Sequence, residues 1–277
     1  MARRRFERAA GTYEKASRLE AEIGARMRER LDYVKLVPRR LLDAGSGPGR
    51  DARALAKRYP QAQVIALDFS HRMLRQARGV LAKIFSRNDK RFLCGDFAQL
   101  PIATASVDLV WSNMALHWAA DPIPVLREFH RVLAVDGLLM FSTLGPDTLV
   151  ELAQAAGNER VHAFADMHDV GDMLVAAGFA EPVMDMERVT MLYADGAALL
   201  SDLRASGQTS ALAARAGEAR RGLGGRGFLA TLQARLAAQR RDGKLPVSFE
   251  VVYGHAWKVP ARRSADGRAI VQFARQR

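Results

Sequence analysis

Apolar positions change their rhythm along the chain, and the changes mark its elements. Between residues 6 and 36, Tyr13, Leu19, Ile23, Met27 and Leu31 recur at helical spacing without a strand signal, which predicts one or two helices. Short, dense apolar runs follow, each succeeded by a stretch at helical spacing. Residues 40–44 read as a strand and 50–59 as a helix closed by Pro60. Residues 64–68 form a short buried strand ending in a carboxylate, and Ser70 is a fair N-cap for a helix through about residue 84. Residues 91–96 give a third strand and turn, 107–113 a fourth strand, and 122–133 a helix. Val135-Asp136-Gly137 reads as a loop leading into a strand over 138–142. A helix over 166–178 ends at Gly178, where a strand sets out toward Val189. Residues 195–240 break the alternation with a long Ala- and Arg-rich stretch that should be helical, and 245–257 form a last strand.

Strands alternating with helices predict an α/β fold, Rossmann-like, with a parallel sheet covered on both faces. The organisation that follows is a helical cover over 1–38, a main domain over 39–260 that carries the helical lid insertion at about 195–240, and a basic, polar tail over 261–277 expected to be disordered. The cover should pack on, or close over, the turn after the first strand.

Composition narrows the class. With 277 residues and 49% apolar content the chain can bury a full core. A single cysteine, Cys94, excludes a disulfide framework and a cysteine-based zinc site. No apolar run approaches the roughly 20 residues of a membrane span. The start, Met-Ala-Arg-Arg-Arg-Phe-Glu, is basic without an apolar stretch behind it, and Glu7 and Glu14 oppose an acid-poor presequence, so a cytoplasmic protein is expected. The net charge of +12 is unevenly placed: residues 1–40 carry +6, 215–244 another +6 and 261–277 +4, leaving −4 for the remainder. Basic appendages on a slightly acidic body attract an acidic partner, either nucleic acid or an acidic carrier protein.

The chemistry gathers at strand ends. After the first strand runs Asp43-Ala44-Gly45-Ser46-Gly47-Pro48-Gly49-Arg50, three alternate glycines opening a helix. Such a turn lets a ligand lie against bare backbone at a helix N-terminus. A dinucleotide fingerprint would need glycine where Arg50 stands. Asp68 lies 19 residues past Gly49, the usual distance for an acid that accepts both ribose hydroxyls, and Asp96 with Phe97 ends the third strand. Ser112 and Asn113 end the fourth, with His117 and Trp118 close behind. The six histidines show no paired metal-ligand spacing, so no metal is expected, and no nucleophile elbow appears.

The acid-then-glycine turn resembles the first motif of the class I S-adenosylmethionine (SAM) dependent methyltransferases. That resemblance implies a seven-stranded, mostly parallel sheet, a glycine turn that carries the amino-acid end of the cofactor, an Asp96 contact to the adenine amino group with Phe97 against the ring, and Ser112 and Asn113 at the methionine portion. Several segments are more particular: Phe6-Glu7-Arg8-Ala9-Ala10 with Tyr13, Leu67-Asp68-Phe69-Ser70, Trp111-Ser112-Asn113, Leu116-His117-Trp118, Phe141-Ser142-Thr143-Leu144 and Pro246-Val247-Ser248-Phe249-Glu250. Together, over about residues 6–258, they resemble the malonyl-acyl-carrier-protein O-methyltransferases of biotin synthesis. The resemblance beginning at Phe6 leaves no room for a transit peptide. Its implied reaction esterifies the free carboxylate of a malonyl thioester on acyl carrier protein, with Tyr13, His117 and Arg204 as candidates for anchoring the malonyl head. Two departures stand out: Ser46 replaces the more usual cysteine, and Leu203-Arg204-Ala205-Ser206-Gly207-Gln208-Thr209 matches the family's Leu-Lys/Arg-x-x-Gly-Ala only loosely.

Two other functions compete. The N-terminal and strand-four segments also resemble a mitochondrial complex I assembly factor that hydroxylates an arginine on a methyltransferase fold. The positive charge alone points to an RNA methyltransferase. Against it, Ser112-Asn113-Met114-Ala115 lacks the Asn/Asp-Pro-Pro-Tyr type motif of amino-group methylation, and no aromatic-interleaved basic run is visible.

Overall fold

The computed structural model describes residues 2–81, 91–158, 161–208 and 225–260. Seven strands form one sheet: β1 (Arg40–Ala44), β2 (Gln63–Asp68), β3 (Arg91–Cys94), β4 (Val107–Ser112), β5 (Leu133–Leu144), β6 (Ala180–Tyr193) and β7 (Leu245–Trp257). Their spatial order is β3-β2-β1-β4-β5-β7-β6, and only β7 runs antiparallel to its neighbours. The order reverses between β1 and β4. In an open α/β sheet a ligand crevice lies beyond the strand ends at such a reversal.

The central strands form because their residues are apolar toward both faces, as a doubly covered sheet requires, whereas β6 at the edge alternates half-buried and exposed positions. Leu41, Leu109, Trp111 and Met140 point to one core with Ile23, Met27 and Leu55. Leu42, Val110, Leu139 and Phe141 point to the other, with Leu126, Phe129 and Leu174. Around the sheet lie α1 (Ala2–Ala16), α2 (Arg18–Arg30), α3 (Arg50–Arg58), α4 (His71–Leu81), α5 (Pro122–Val132), α6 (Val150–Ala156), α7 (Met167–Ala176), α8 (Gly196–Ala205) and α9 (Gly225–Ala238). None of the described helices is long and apolar enough to cross a membrane.

The N-terminal residues fold as two helices, and their anchorage brings α1 to the glycine turn. The Arg50 guanidinium donates to the carbonyls of Glu14 and Ser17, 2.9 Å each, satisfying the end of α1 from the start of α3. On α2, Arg26 pairs with Glu187 and Arg30 with Asp185, and the Arg30 guanidinium lies 3.8 Å from the Tyr253 ring centroid, so α2 is tied to β6 and β7.

Two expectations need correction. Val135-Asp136-Gly137 is not a free loop but part of β5. Asp136 takes φ +61, its N–H donates to Lys258, and the partner register along β4 slips between Val107 and Leu109, the signature of a bulge. The strand expected toward Val189 runs on to Tyr193 along the sheet edge. In the 195–240 stretch, Leu199, Leu200 and Leu203 of α8 and Leu232 and Leu236 of α9 are buried in the first core. Residues 209–224, among them Arg220 and Arg221, and the 261–277 tail lie outside the described residues.

Candidate active site

The turn after β1 is held by backbone bonds to the end of β2: the N–H groups of Gly45 and Ser46 both donate to the Leu67 carbonyl, at 2.8 and 2.9 Å. Gly45, Gly47 and Gly49 all take positive φ, +84, +52 and +82. At Gly45 space is also short, since a Cβ there would lie 2.5 Å from the Ala115 methyl. These constraints shape the floor of a cavity of about 670 Å³.

Asp68 stands at its edge. One carboxylate oxygen accepts the Gly47 N–H at 2.9 Å and the other the Ser70 N–H at 2.7 Å. Burial raises its pKa to about 6 in spite of those two donors. Asp96 and Phe97 also line the cavity. Asp96 accepts the Ala98 N–H at 2.9 Å, and Phe97 packs edge-on against Phe129.

Behind the turn lies a buried acidic group. Asp43 is 2% exposed, and burial together with the neighbouring Asp51 carboxylate pushes its pKa well up. Burial raises Asp51 too, opposed by its ion pair with Arg28 and a 2.7 Å hydrogen bond from the Asn113 amide. Glu20, on α2, is buried at the cavity wall and raised for the same reason.

The structure separates the remaining candidates. Tyr13 lines the cavity, and burial pushes its phenol upward. Asn113 lines it as well, but its side chain is committed. Its amide nitrogen donates to Glu20 and Asp51, and its oxygen accepts from the Ser142 hydroxyl. The Ser112 hydroxyl donates to the Ala44 carbonyl, binding β4 to β1, and Ser112 is not among the residues lining the cavity. His117 faces a tight neighbouring crevice instead, with His162 and Phe164. Its Nδ1 is buried without a partner, and burial lowers its pKa to about 3. Arg204 is exposed and lines neither space.

Sequence reasoning missed Glu20 and Gln208. Glu20 follows Leu19 and precedes Ile23 on the buried stripe of α2, a position that could have drawn attention to it. Gln208 follows the helical pattern of α8 with no chemical signal beyond its departure from the family motif.

A cationic cofactor carrying a ribose fits these residues. The glycine turn offers a cradle that a side chain would fill, and Asp43 Oδ2 and Ser46 Oγ are buried without a hydrogen-bond partner. Glu20, Asp43, Asp51 and Asp68, all raised by burial, would each be relieved by positive charge.

Comparison with known proteins agrees. Residues 42–141 match the family described as a methyltransferase domain. Among solved structures, the YcgJ protein of Bacillus subtilis superposes with a TM-score of 0.61 at 18% identity, covering 84% of this chain and 98% of that one. A Haemonchus contortus phosphoethanolamine N-methyltransferase 2, solved with S-adenosylhomocysteine, gives 0.60 at 16% identity, over 94% of this chain and 61% of that one. The fold is that of the class I methyltransferases. A malonyl-acyl-carrier-protein O-methyltransferase of Methylovorus sp. is 50% identical, covering 98% of this chain and 93% of the relative. Its counterpart in Laribacter hongkongensis is 49% identical over 97% and 93%. With half of its residues shared over nearly its whole length, the chain belongs to the malonyl-acyl-carrier-protein O-methyltransferase family.

Proposed function

We propose that this chain esterifies the free carboxylate of a malonyl group carried on acyl carrier protein. The observation that carries the proposal is the likeness, over nearly the full length, to relatives of that name. The bound cofactor supplies an electrophilic methyl group on a sulfonium. The acceptor carboxylate would take that methyl, and S-adenosyl-L-methionine would leave as its neutral thioether, so that no proton need move. A carboxylate with a pKa of roughly 3–4 is already ionised at pH 7, so the protein needs no general base.

What the residues supply is alignment and dryness. The Gly45–Gly49 turn, Asp68 and Asp96 would hold the cofactor. Phe6 packs against Trp118 with ring centroids 5.1 Å apart and against Phe69 at 5.6 Å, a cover that keeps water from the nucleophile. Oriented proximity of this kind contributes roughly 7–11 kcal/mol. Burial keeps the His117 imidazole neutral, so His117→Gln should retain wild-type turnover within about tenfold, read by steady-state kinetics. A loss of three orders of magnitude with SAM binding intact would make the imidazole a base and point to a different acceptor.

Carrier docking is supported by charge. Arg3, Arg4 and Arg8 of α1 and Arg72, Arg75 and Arg78 of α4 are exposed on two helices packed together beside the cavity. Among the described residues, Arg4, Arg75 and Arg78 make no ion pair. Exposed pairs contribute only about 0.2–1 kcal/mol each, but several steer encounter and are screened by salt.

Labelled methyl transfer to malonyl-carrier protein, with free malonate and tRNA in parallel, tests the function. Transfer should go to the carrier substrate, with a KM that rises between low and physiological salt. Reversing Arg4, Arg75 and Arg78 to glutamate should raise that KM several-fold and leave a short malonyl thioester almost unaffected. Preferential labelling of tRNA would overturn the reading.

A further inference from the structure

Among the described residues, the cofactor cavity and the crevice that holds His117 share two lining residues, Trp118 and Gln208. Gln208 therefore stands in the wall between them. The turn that carries it is fixed from several directions. Its own N–H donates to Leu203 at 2.8 Å. Gly207, at φ +77, brings the backbone so close to α1 that a Cβ would lie 3.2 Å from the Phe6 ring. The Thr12 hydroxyl of α1 donates to Ala205 at 2.9 Å.

The amide of Gln208 has two N–H donors, and one of them reaches the Glu20 carboxylate at 2.6 Å. The second is available to a ligand. A neutral amide with two donors can stand between two anions and bond to both. A lysine or arginine there would hold a carboxylate's lone pairs more firmly and make it a poorer nucleophile. The crevice behind this wall, bounded by Leu144, Leu149 and Phe164, offers about 10 Å³ of space, room for a group of about the size of one water or one methylene.

We propose that Gln208 is the specificity-determining residue for the acceptor: its free amide N–H holds the acyl carboxylate facing the cofactor, and its side chain, with Trp118, limits acyl length by closing the cavity off from the His117 crevice. The inference rests on the malonyl reading and names the group that recognises malonyl. It also gives a chemical content to the departure of this segment from the family's Gly-Ala.

The test compares Gln208→Ala and Gln208→Glu with the wild type, using malonyl- and succinyl-carrier thioesters, and measures SAM affinity of each protein by calorimetry. Gln208→Ala should lower kcat/KM for malonyl 10- to 100-fold, as loss of a hydrogen bond to a charged group does. SAM affinity should move less than threefold, which also reports an intact site. Opening the wall should raise the succinyl-to-malonyl ratio at least tenfold. Gln208→Glu should be worse than alanine for both acceptors, because it faces them with a second anion. Wild-type rates and an unchanged ratio in Gln208→Ala would overturn the inference alone. A parallel loss for both acceptors that merely follows weakened SAM binding would overturn it too, leaving Gln208 a strut for Glu20. No ester from the wild type on either carrier would overturn the malonyl reading, and this inference with it.

Discussion

Replacing Asp68 with alanine weakens S-adenosyl-L-methionine binding about 10- to 150-fold, the loss of roughly 1.5–3 kcal/mol expected when a ligand's hydroxyls lose an ionised acceptor. The two backbone N–H groups already on Asp68 occupy one lone pair of each oxygen, and a carboxylate has capacity for more. The same contact makes binding depend on pH. The Asp68 pKa is about 6 in the folded protein, and only the ionised form accepts from both hydroxyls. Affinity should therefore be level above that pH and fall as pH drops below it, a step that Asp68→Asn abolishes.

The effect of Asp68 on folding runs the other way. Its folded pKa is raised above the unfolded value of roughly 3.9, so its contribution to stability is fully present below that value and is lost as pH rises through about 6. Calorimetry across pH 5–8, with melting curves on the same samples, separates the two slopes. Unchanged SAM affinity in a folded Asp68→Ala protein would remove the residue from the site.

Why some of this was legible follows from what each feature depends on. Strand positions are set by local apolar runs, and β1, β2, β4 and β7 sit where the pattern places them. The glycine turn is equally local, because its positive φ values are a property of residue type. The bulge at Asp136 was not legible. A segment beyond β7 satisfies its N–H, a partner more than a hundred residues away. Asn113 shows the same limit at the site. Its position after β4 is read easily, but its amide faces Glu20 and Asp51 from two other helices, and only the assembled fold shows that it is used up. His117 is close to Trp118 in sequence and separated from the cofactor cavity by it in space. Gln208 and Glu20 gain their role from meeting each other, 188 residues apart.

Gly45→Ala should cost roughly 2–5 kcal/mol of folding stability, and with it most cofactor binding. Two separable causes add to that figure. The backbone at Gly45 has φ +84, and holding an L-residue in the left-handed region costs roughly 1–2 kcal/mol. The added methyl would also lie 2.5 Å from the Ala115 methyl, and overpacking of that kind costs typically about 1–3 kcal/mol. Relief by movement is restricted: the Gly45 N–H is bound to Leu67 on one side, and Ala115 leads directly into the turn that carries His117 and Trp118 on the other. Any shift of the turn also displaces Gly47 from Asp68. Removing the obstacle distinguishes the two causes. In the Gly45→Ala, Ala115→Gly double variant, measured against Ala115→Gly alone, the overlap should vanish and only the backbone cost remain, a positive coupling of about 1–3 kcal/mol. Denaturant unfolding of the four proteins gives that number. If Gly45→Ala is no less stable than the wild type, or the cycle shows no coupling, the close approach of the two methyl positions does not constrain the turn.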